Sequence, residues 1–410
     1  MTDAPRTPRR ILLVDADAFF VAVARLVDPE GAGKAPLLIV GGAAGSRGVV
    51  CSASYETRKF GVRSAMPISR ALRLCPDAMC VPVPRRACGV KHQEIRTVLE
   101  RFTPAVQAAS IDEWYLDLGG TERLYGDATL DEIAHRIRLA VRADTGLSVS
   151  LGGGSSKLIA KLAVERAKPK PGTGANGVHV VPAGEEVAFM RQLALADIPG
   201  IGPKSSARLA DAGLRMVEDV LALDTAALTR LVGARDAAWL AERVRGVDEA
   251  EVSEREVAKS ISRDETFDVD LHDDLLLEGE LAELVGRAAT ELRSEALTAR
   301  TVTVRIRDAD FTTRQASRTV DEALESDRAL FAVARQLLAK LRRARRVPAR
   351  LLGVALSNFT APPSVQLGLF EGTRTPLETA RDRELSRAMD TVRARFGRGA
   401  IAPGRKPRSS

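Results

Sequence analysis

Ser110-Ile111-Asp112-Glu113-Trp114-Tyr115-Leu116-Asp117 sets two adjacent acids between strand-like runs at about 105–111 and 114–118. Neighbours in a regular strand point to opposite faces, so Asp112 and Glu113 can serve one site only from a hairpin tip or bulge, which a turn at 111–113 supplies. Near the N-terminus, Ile11-Leu12-Leu13-Val14-Asp15 reads as a buried strand that also ends in an acid. Three carboxylates converging at strand ends form a hard-oxygen site for Mg²⁺. Two such ions about 3.5–4 Å apart can activate a 3′-hydroxyl and steady a leaving pyrophosphate. Taken alone, an Asp-Glu pair is more often an ordinary pair of turn acids.

Outward from these acids, strands and helices alternate. A helix is expected over 18–26, strands over 37–41 and 47–51, and a helical run over 53–60 stopped by Gly61. Helices follow at 85–102 and 130–143, a strand at 147–152 and a helix at 155–168 that Lys168-Pro169-Lys170-Pro171-Gly172 ends. Residues 184–245 read as short helices and 246–257 as a charged linker. After it comes strand 258–268, helix 276–297, strands 301–307 and 311–319, helix 326–343 and strand 351–357: a βαββαβ unit of one sheet and two helices. The fold class is therefore α+β, in several domains. Beyond Asn358 the chain is tail-like, and Thr375-Pro376-Leu377-Glu378 reads as a capping box opening a last helix. The stripe Leu385, Met389, Val392 and Phe396 is expected to pack that helix against the protein's body.

The 410 residues are 45% apolar and 28% charged, the profile of a globular protein. Apolar stretches break within about ten residues, far short of the ~20 of a membrane span. Arg6, Arg9 and Arg10 superficially resemble the start of a signal peptide, but Asp15 and Asp17 interrupt the apolar run. A cytoplasmic protein is expected. Cys51, Cys75, Cys80 and Cys88 form no CxxC pair, and the four histidines, His92, His135, His179 and His272, are scattered. Free core thiols fit better than a zinc site or a disulfide framework. The net charge of +7 is uneven: Lys340–Arg350 carries six basic residues and no acid. Such clusters favour a polyanion such as nucleic acid, although a solvated helix face reads the same way.

Tyr55, Arg58, Lys59, Arg63 and Lys168 could hold a triphosphate, Arg by bidentate bonds and Lys as a point charge. Asp197-Ile198-Pro199-Gly200-Ile201-Gly202-Pro203-Lys204 matches the hairpin of a helix-hairpin-helix, whose outward amides grip a DNA phosphate without reading sequence. A plain turn between helices remains the alternative. Gln366-Leu367-Gly368-Leu369-Phe370, in an otherwise polar stretch, has the form of a docking peptide. Asp15-Ala16-Asp17 with Gly126-Asp127 also suggests a dehalogenase-type phosphatase. There the second pair should follow a buried strand, and 119–128 reads as a loop.

Together, Val14–Phe20, Ser54–Pro67, Ser110–Asp117, Ala167-Lys168-Pro169 and the Pro199–Gly202 hairpin resemble, in family order, the Y-family translesion DNA polymerases. The resemblance implies a right-hand architecture. The palm would be 1–18 with 85–175, small fingers 19–84, a helical thumb 176–245 and a linker 246–257. The βαββαβ little finger would be 258–358, and 359–410 a tail with a clamp-binding motif. It implies that Asp15, Asp112 and Glu113 are the catalytic acids and hold two Mg²⁺, with the Ala16 carbonyl assisting. Phe19, Phe20 (the steric gate), Ser52, Tyr55, Arg58 and Lys168 would meet the incoming nucleotide. Gly200, Gly202 and Lys204 would contact DNA, and Gln366, Leu367, Leu369 and Phe370 the sliding clamp, the β subunit of DNA polymerase III.

The activity implied is template-directed, error-prone transfer of dNTPs to the primer 3′-OH of a primer-template, without proofreading, by a monomer that uses no membrane. The alternative is a non-catalytic DNA-binding scaffold with a decayed palm, against which all three acids argue. Two departures touch the site: Gly152-Gly153-Gly154-Ser155-Ser156-Lys157 replaces an apolar residue followed by Asn-Lys, and Trp114 stands where a small residue is common.

Overall fold

The computed structural model describes residues 9–126, 128–169, 174–253, 258–360 and 376–401. The chain divides into two compact units, Met1–Glu256 and Val257–Ser410. The first contains β1 (Ile11–Ala16), α1 (Phe19–Val27), β2 (Leu38–Gly41), β3 (Val50–Ala53), α2 (Tyr55–Arg58), α3 (Ile68–Leu74) and β4 (Met79–Pro82). It continues with α4 (Arg85–Leu99), β5 (Val106–Ala108), β6 (Glu113–Asp117), α5 (Glu122–Tyr125), α6 (Leu130–Thr145), β7 (Val149–Gly154), α7 (Lys157–Ala167) and β8 (Val178–Val180). Five short helices end it: α8 (Glu186–Arg191), α9 (Pro203–Asp211), α10 (Val217–Leu221), α11 (Thr225–Val232) and α12 (Ala234–Arg243).

The central sheet has the order β5-β6-β1-β7-β8, with β1 antiparallel to both neighbours. All six residues of β1 are buried, so both faces are covered. Leu12 and Val14 join Trp114, Leu116, Ile95 and Ile133 under α4 and α6. Ile11 and Leu13 face Ala160 and Val164 of α7. Asp15 continues the α7-facing series. Thr129 and Glu132 form the expected capping box of α6. A separate three-stranded sheet, β3-β2-β4, packs against α3. The sequence reading lacked α3, β4, β8 and α5, the last inside the stretch 119–128 read as a loop; β4, β8 and α5 are elements of three or four residues, too short for periodicity to register.

The glycine run of β7 has a packing role. A Cβ on Gly152 would lie 2.2 Å from both the Ala160 carbonyl oxygen and the Val164 nitrogen. Only glycine lets α7 settle this closely on the sheet.

The second unit is the expected βαββαβ order: β9 (Ser260–Leu271), α13 (Asp274–Ser294), β10 (Thr298–Asp308), β11 (Thr313–Leu324), α14 (Asp327–Ala344) and β12 (Ala349–Thr360), with α15 (Ala380–Phe396) after it. Its sheet order is β11-β10-β12-β9, all antiparallel. Leu281, Leu284, Leu330, Val333 and Leu337 close one face of it. The other face is polar. Hydroxyls meet across β10 and β11 at Thr301–Thr319 (2.9 Å) and Thr303–Ser317 (2.8 Å), and Arg307 Nε donates to Thr313 Oγ1 (2.9 Å).

The last helix corrects the sequence reading twice. Thr375 lies outside the described residues, and α15 starts four residues later, with Thr379 as N-cap and Asp382 completing the capping box. Glu378 is engaged elsewhere: its buried Oε1 accepts from the backbone nitrogens of Glu325 (2.9 Å) and Ser326 (2.5 Å). The apolar stripe docks the helix only in part: Met389 and Val392 are half-buried, but Leu385 and Phe396 are 58% and 67% exposed. Ion pairs supply the rest. Arg293, 5% exposed, makes bidentate bonds to Asp390 (2.7 and 2.9 Å), and Arg328 makes another pair to Asp382 (2.6 and 2.7 Å). Hydropathy patterns do not register a helix that docks through buried arginine. The four cysteines are free, but only Cys75 and Cys88 are buried; Cys51 is exposed, so the expectation of four core thiols is half right.

Candidate active site

The β1–β6 register places Asp15 opposite Glu113. The turn before β6 is held by its own backbone: the Ala109 and Ser110 nitrogens donate to the Glu113 carbonyl (2.9 and 3.3 Å), and the Ala16 nitrogen to the Asp112 carbonyl (2.9 Å). Thus Asp112 and Glu113 occupy a tip beside the end of β1, as the sequence requires. The side chains divide. Asp15 and Glu113 share the α7 face, while the Asp112 carboxylate accepts a bond from Ser110 Oγ (2.5 Å). Among the described residues, no three acidic, histidine or cysteine side chains come together as a cation cage.

Two lysines of the α7 segment complete the site. Lys168 Nζ lies 2.9 Å from Asp15 Oδ2, and Lys161 Nζ donates to Glu113 Oε1. Lys157, Lys161 and Lys168 form one stripe, of which Lys161 and Lys168 meet the carboxylates while Lys157 bonds to Gln107 Oε1 (2.7 Å). Lys161 was missed in the sequence, although its spacing of four from Lys157 and seven from Lys168 marks that stripe.

Electrostatics single out Asp15. It is 7% exposed, and burial pushes its carboxyl up to about 7; Glu113 adds to the rise and Lys168 opposes it. Burial works against the charge of Lys168, but Asp15 and Glu165 outweigh it and hold the ammonium protonated.

Tyr55 feels the same cluster. Burial raises its phenol first, then Asp17, with Arg58 and Lys168 opposing. The Arg58 guanidinium lies 5.5 Å from the Tyr55 ring centre, and its Nε donates to the Ala53 carbonyl (2.9 Å). Asp17, not assigned a role from the sequence, accepts from Ser150 Oγ (2.8 Å). Phe20 is part-buried beside Phe19, ring centres 5.7 Å apart and edge-on, while Phe19 is buried in the sheet core. Ala18, at φ 46°, turns the chain sharply from β1 into α1. Ser52 is buried on β3.

The glycine hairpin stands apart from this cluster. Gly200 has φ +101°, a left-handed conformation that glycine adopts freely, and a Cβ there would meet Trp239 at 2.9 Å. Gly202 is the N-cap of α9 and a Cβ there would meet nothing, so the fold itself does not demand glycine at 202. Lys204 follows in the first turn of α9. Gln366, Leu367, Leu369 and Phe370 lie outside the described residues. Among the described residues no helix is long and apolar enough to cross a membrane.

Comparison with known proteins agrees with this arrangement. The impB/mucB/samB family model matches residues 14–165, its C-terminal domain 258–369, and a SAM-like helix-hairpin-helix tandem 193–245. The chain is 36% identical over 397 residues to DNA polymerase IV of Dehalococcoides mccartyi strain CBDB1, covering 97% of each. It is 34% identical to DNA polymerase IV of Caulobacter vibrioides, covering 96% and 93%. Among solved structures, a Y-family polymerase chimera of Dbh and Dpo4 aligns with TM-score 0.76 and 26% identity over 86% of this chain and all of that one. The insertion ternary complex of Dbh DNA polymerase aligns with TM-score 0.58 over the same shares. With nearly its whole length aligned to DNA polymerase IV relatives and its acids at the tip described above, the chain belongs to the Y-family DNA polymerases and is a translesion DNA-directed DNA polymerase.

Proposed function

We propose that nucleotidyl transfer is catalysed by Asp15, Asp112 and Glu113, which with the Ala16 carbonyl hold two Mg²⁺. The supporting observation is the geometry of the pair: Asp15 and Glu113 face each other across β1 and β6, each beside a lysine ammonium, with Asp15 buried and pushed up to about 7. A buried carboxylate such as Asp15 ionises fully only beside positive charge, and the donors of the pair are the oxygens a hard cation takes. Asp112 would join by releasing Ser110 and turning its side chain. Bound there, the ions would supply acidity to the primer 3′-OH and charge neutralisation to the departing pyrophosphate.

The remaining assignments rest on the family resemblance together with the groups around Asp15. Lys168, Arg58 and Tyr55, with Ser52 from β3, take the triphosphate, and Phe20, backed edge-on by Phe19, bars a 2′-hydroxyl. The hairpin at Gly200, Gly202 and Lys204 grips a DNA phosphate, with room at Gly202 for a close backbone approach. The hydroxyl-lined face of β10 and β11 suits a phosphate backbone as well. The domain limits proposed are palm 1–18 and 85–175, fingers 19–84, thumb 176–245, linker 246–257, little finger 258–358 and tail 359–410. Gln366, Leu367, Leu369 and Phe370 dock on the sliding clamp, and the enzyme acts in the cytoplasm as a monomer on primer-template DNA.

Asp112→Asn tests the metal assignment. It removes a ligand charge and leaves the basic surfaces, so extension is lost while primer-template affinity stays within about twofold. Near-normal extension by this variant would refute the assignment.

A further inference from the structure

Trp114 follows Glu113 directly, and strand alternation sends its ring to the opposite face from the carboxylate. The ring is fully buried, and His92 of α4 stacks on it, centroids 4.9 Å and planes 29° apart. His92 Nδ1 also lies 2.9 Å from the Ile111 carbonyl oxygen. A carbonyl only accepts, so Nδ1 carries the proton and donates. One side chain therefore holds both flanks of the Asp112–Glu113 step, the backbone before it and the ring after it. Beyond the backbone bonds of the turn and the Ser110–Asp112 contact, the tip is open, with Ser110 and Ile111 exposed.

We infer that His92 is a positioning residue for nucleotide transfer, anchoring the Ile111 carbonyl and the Trp114 ring so that Asp112 and Glu113 leave the turn at fixed angles. It touches neither carboxylate. With the backbone pinned, the rearrangement left to Asp112 is rotation of its side chain away from Ser110. Misplacing a reacting constellation by about 1 Å can cost 10²-fold in rate, so an anchor of this kind bears on kcat. The inference rests on the reading that Asp112 and Glu113 hold the catalytic cations.

The two contacts separate by substitution. His92→Asn puts an amide nitrogen where Nδ1 sits, keeping the bond and losing the stack. His92→Phe keeps the stack and loses the bond. His92→Gln is polar like Asn but carries its amide one carbon further out. Single-turnover primer extension gives the incorporation rate and the apparent dNTP Kd, and hydrogen exchange of the metal-free protein reports on amides 109–112. His92→Gln, which loses both contacts, should lower the incorporation rate about tenfold, the scale of one lost hydrogen bond, with that Kd within about twofold. His92→Phe, which loses only the bond, should fall nearly as far, and His92→Asn, which loses only the stack, should recover most of the rate. Exchange at the tip should quicken in the same order and stay unchanged over α6 and β7. Should His92→Phe fail to fold, the Asn–Gln contrast decides alone. Equal rates and equal tip exchange in Asn and Gln variants would overturn the inference. Asp112→Asn runs alongside: if that variant extends normally, the cation reading fails, whereas tip exchange still reports on His92.

Discussion

Asp15→Asn in metal-free protein should stabilise the first unit, and the gain should grow with pH. The folded carboxyl titrates near 7 against an ordinary 3.8. Between those values the folded state binds a proton that the unfolded chain has released, so stability falls as pH climbs from about 4 to 7 and stays low above. Three units at 1.36 kcal/mol each amount to about 4 kcal/mol. Asparagine mimics the protonated acid and escapes that loss. Lys168 keeps Glu165 as a partner at 2.6 Å in the variant. Wild type and variant should therefore be equally stable near pH 4, with the variant ahead by up to about 4 kcal/mol at pH 8. For a unit of this size that is roughly 8–16 °C in melting temperature. Both tryptophans, Trp114 and Trp239, lie in the first unit, so tryptophan emission follows its unfolding alone. Mg²⁺ added at pH 8 should raise the wild type and leave the variant unchanged. A difference that does not vary with pH, or a wild type more stable at pH 8, would refute the argument that burial dominates at Asp15.

Three other outcomes are expected. Phe20→Ala should raise ribonucleotide incorporation far more than it lowers deoxynucleotide use, read as the ratio of the two kcat/KM values; an unchanged ratio makes Phe20 a packing residue only. Leu369→Ala with Phe370→Ala should leave distributive extension on a short primer unchanged and abolish stimulation by a loaded clamp, because tethering raises effective concentration without altering chemistry. A lowered melting temperature with stimulation intact would instead place the motif against the protein's own body. Asp390→Ala should remove the bidentate partner of Arg293 while Asp327, at 2.9 Å, still balances its charge, at a cost of about 2 kcal/mol in urea denaturation of the second unit, with earlier proteolysis ahead of Ala380. No change in either measurement would mean that α15 is held by other contacts.

The sequence made the carboxylates and the second unit legible for one reason: both are written in local periodicity. A strand that ends in acid, a turn that carries two acids, and the alternation of 258–358 need no knowledge of what packs where; that the Asp112 carboxylate bonds to Ser110 and does not join Asp15 and Glu113 was not legible. What escaped it depends on how elements meet. Lys161 reaches Glu113 only because α7 sits close on β7, and that closeness comes from Gly152 on another element. The docking of α15 escaped because a guanidinium such as that of Arg293, once paired, is as much an interior group as leucine, and hydropathy scores it as surface.

Both departures from the family pattern acquire a physical reason in the fold. Gly152 forgoes a side chain, and α7 uses the space to bring Lys161 and Lys168 to the acids. Trp114 fills the interior behind Glu113, where His92 covers its ring and reaches past it to the Ile111 carbonyl. A small residue at 114 would leave that imidazole without its stacking partner, so the two positions act as a pair. If so, Trp114→Ala should cost less in a His92→Asn background, where the stack is already gone and the bond to Ile111 is kept, than in the wild type. The double variant should then extend primers about as fast as the slower single variant. A double variant slower than both single variants would show instead that each side chain supports the site on its own.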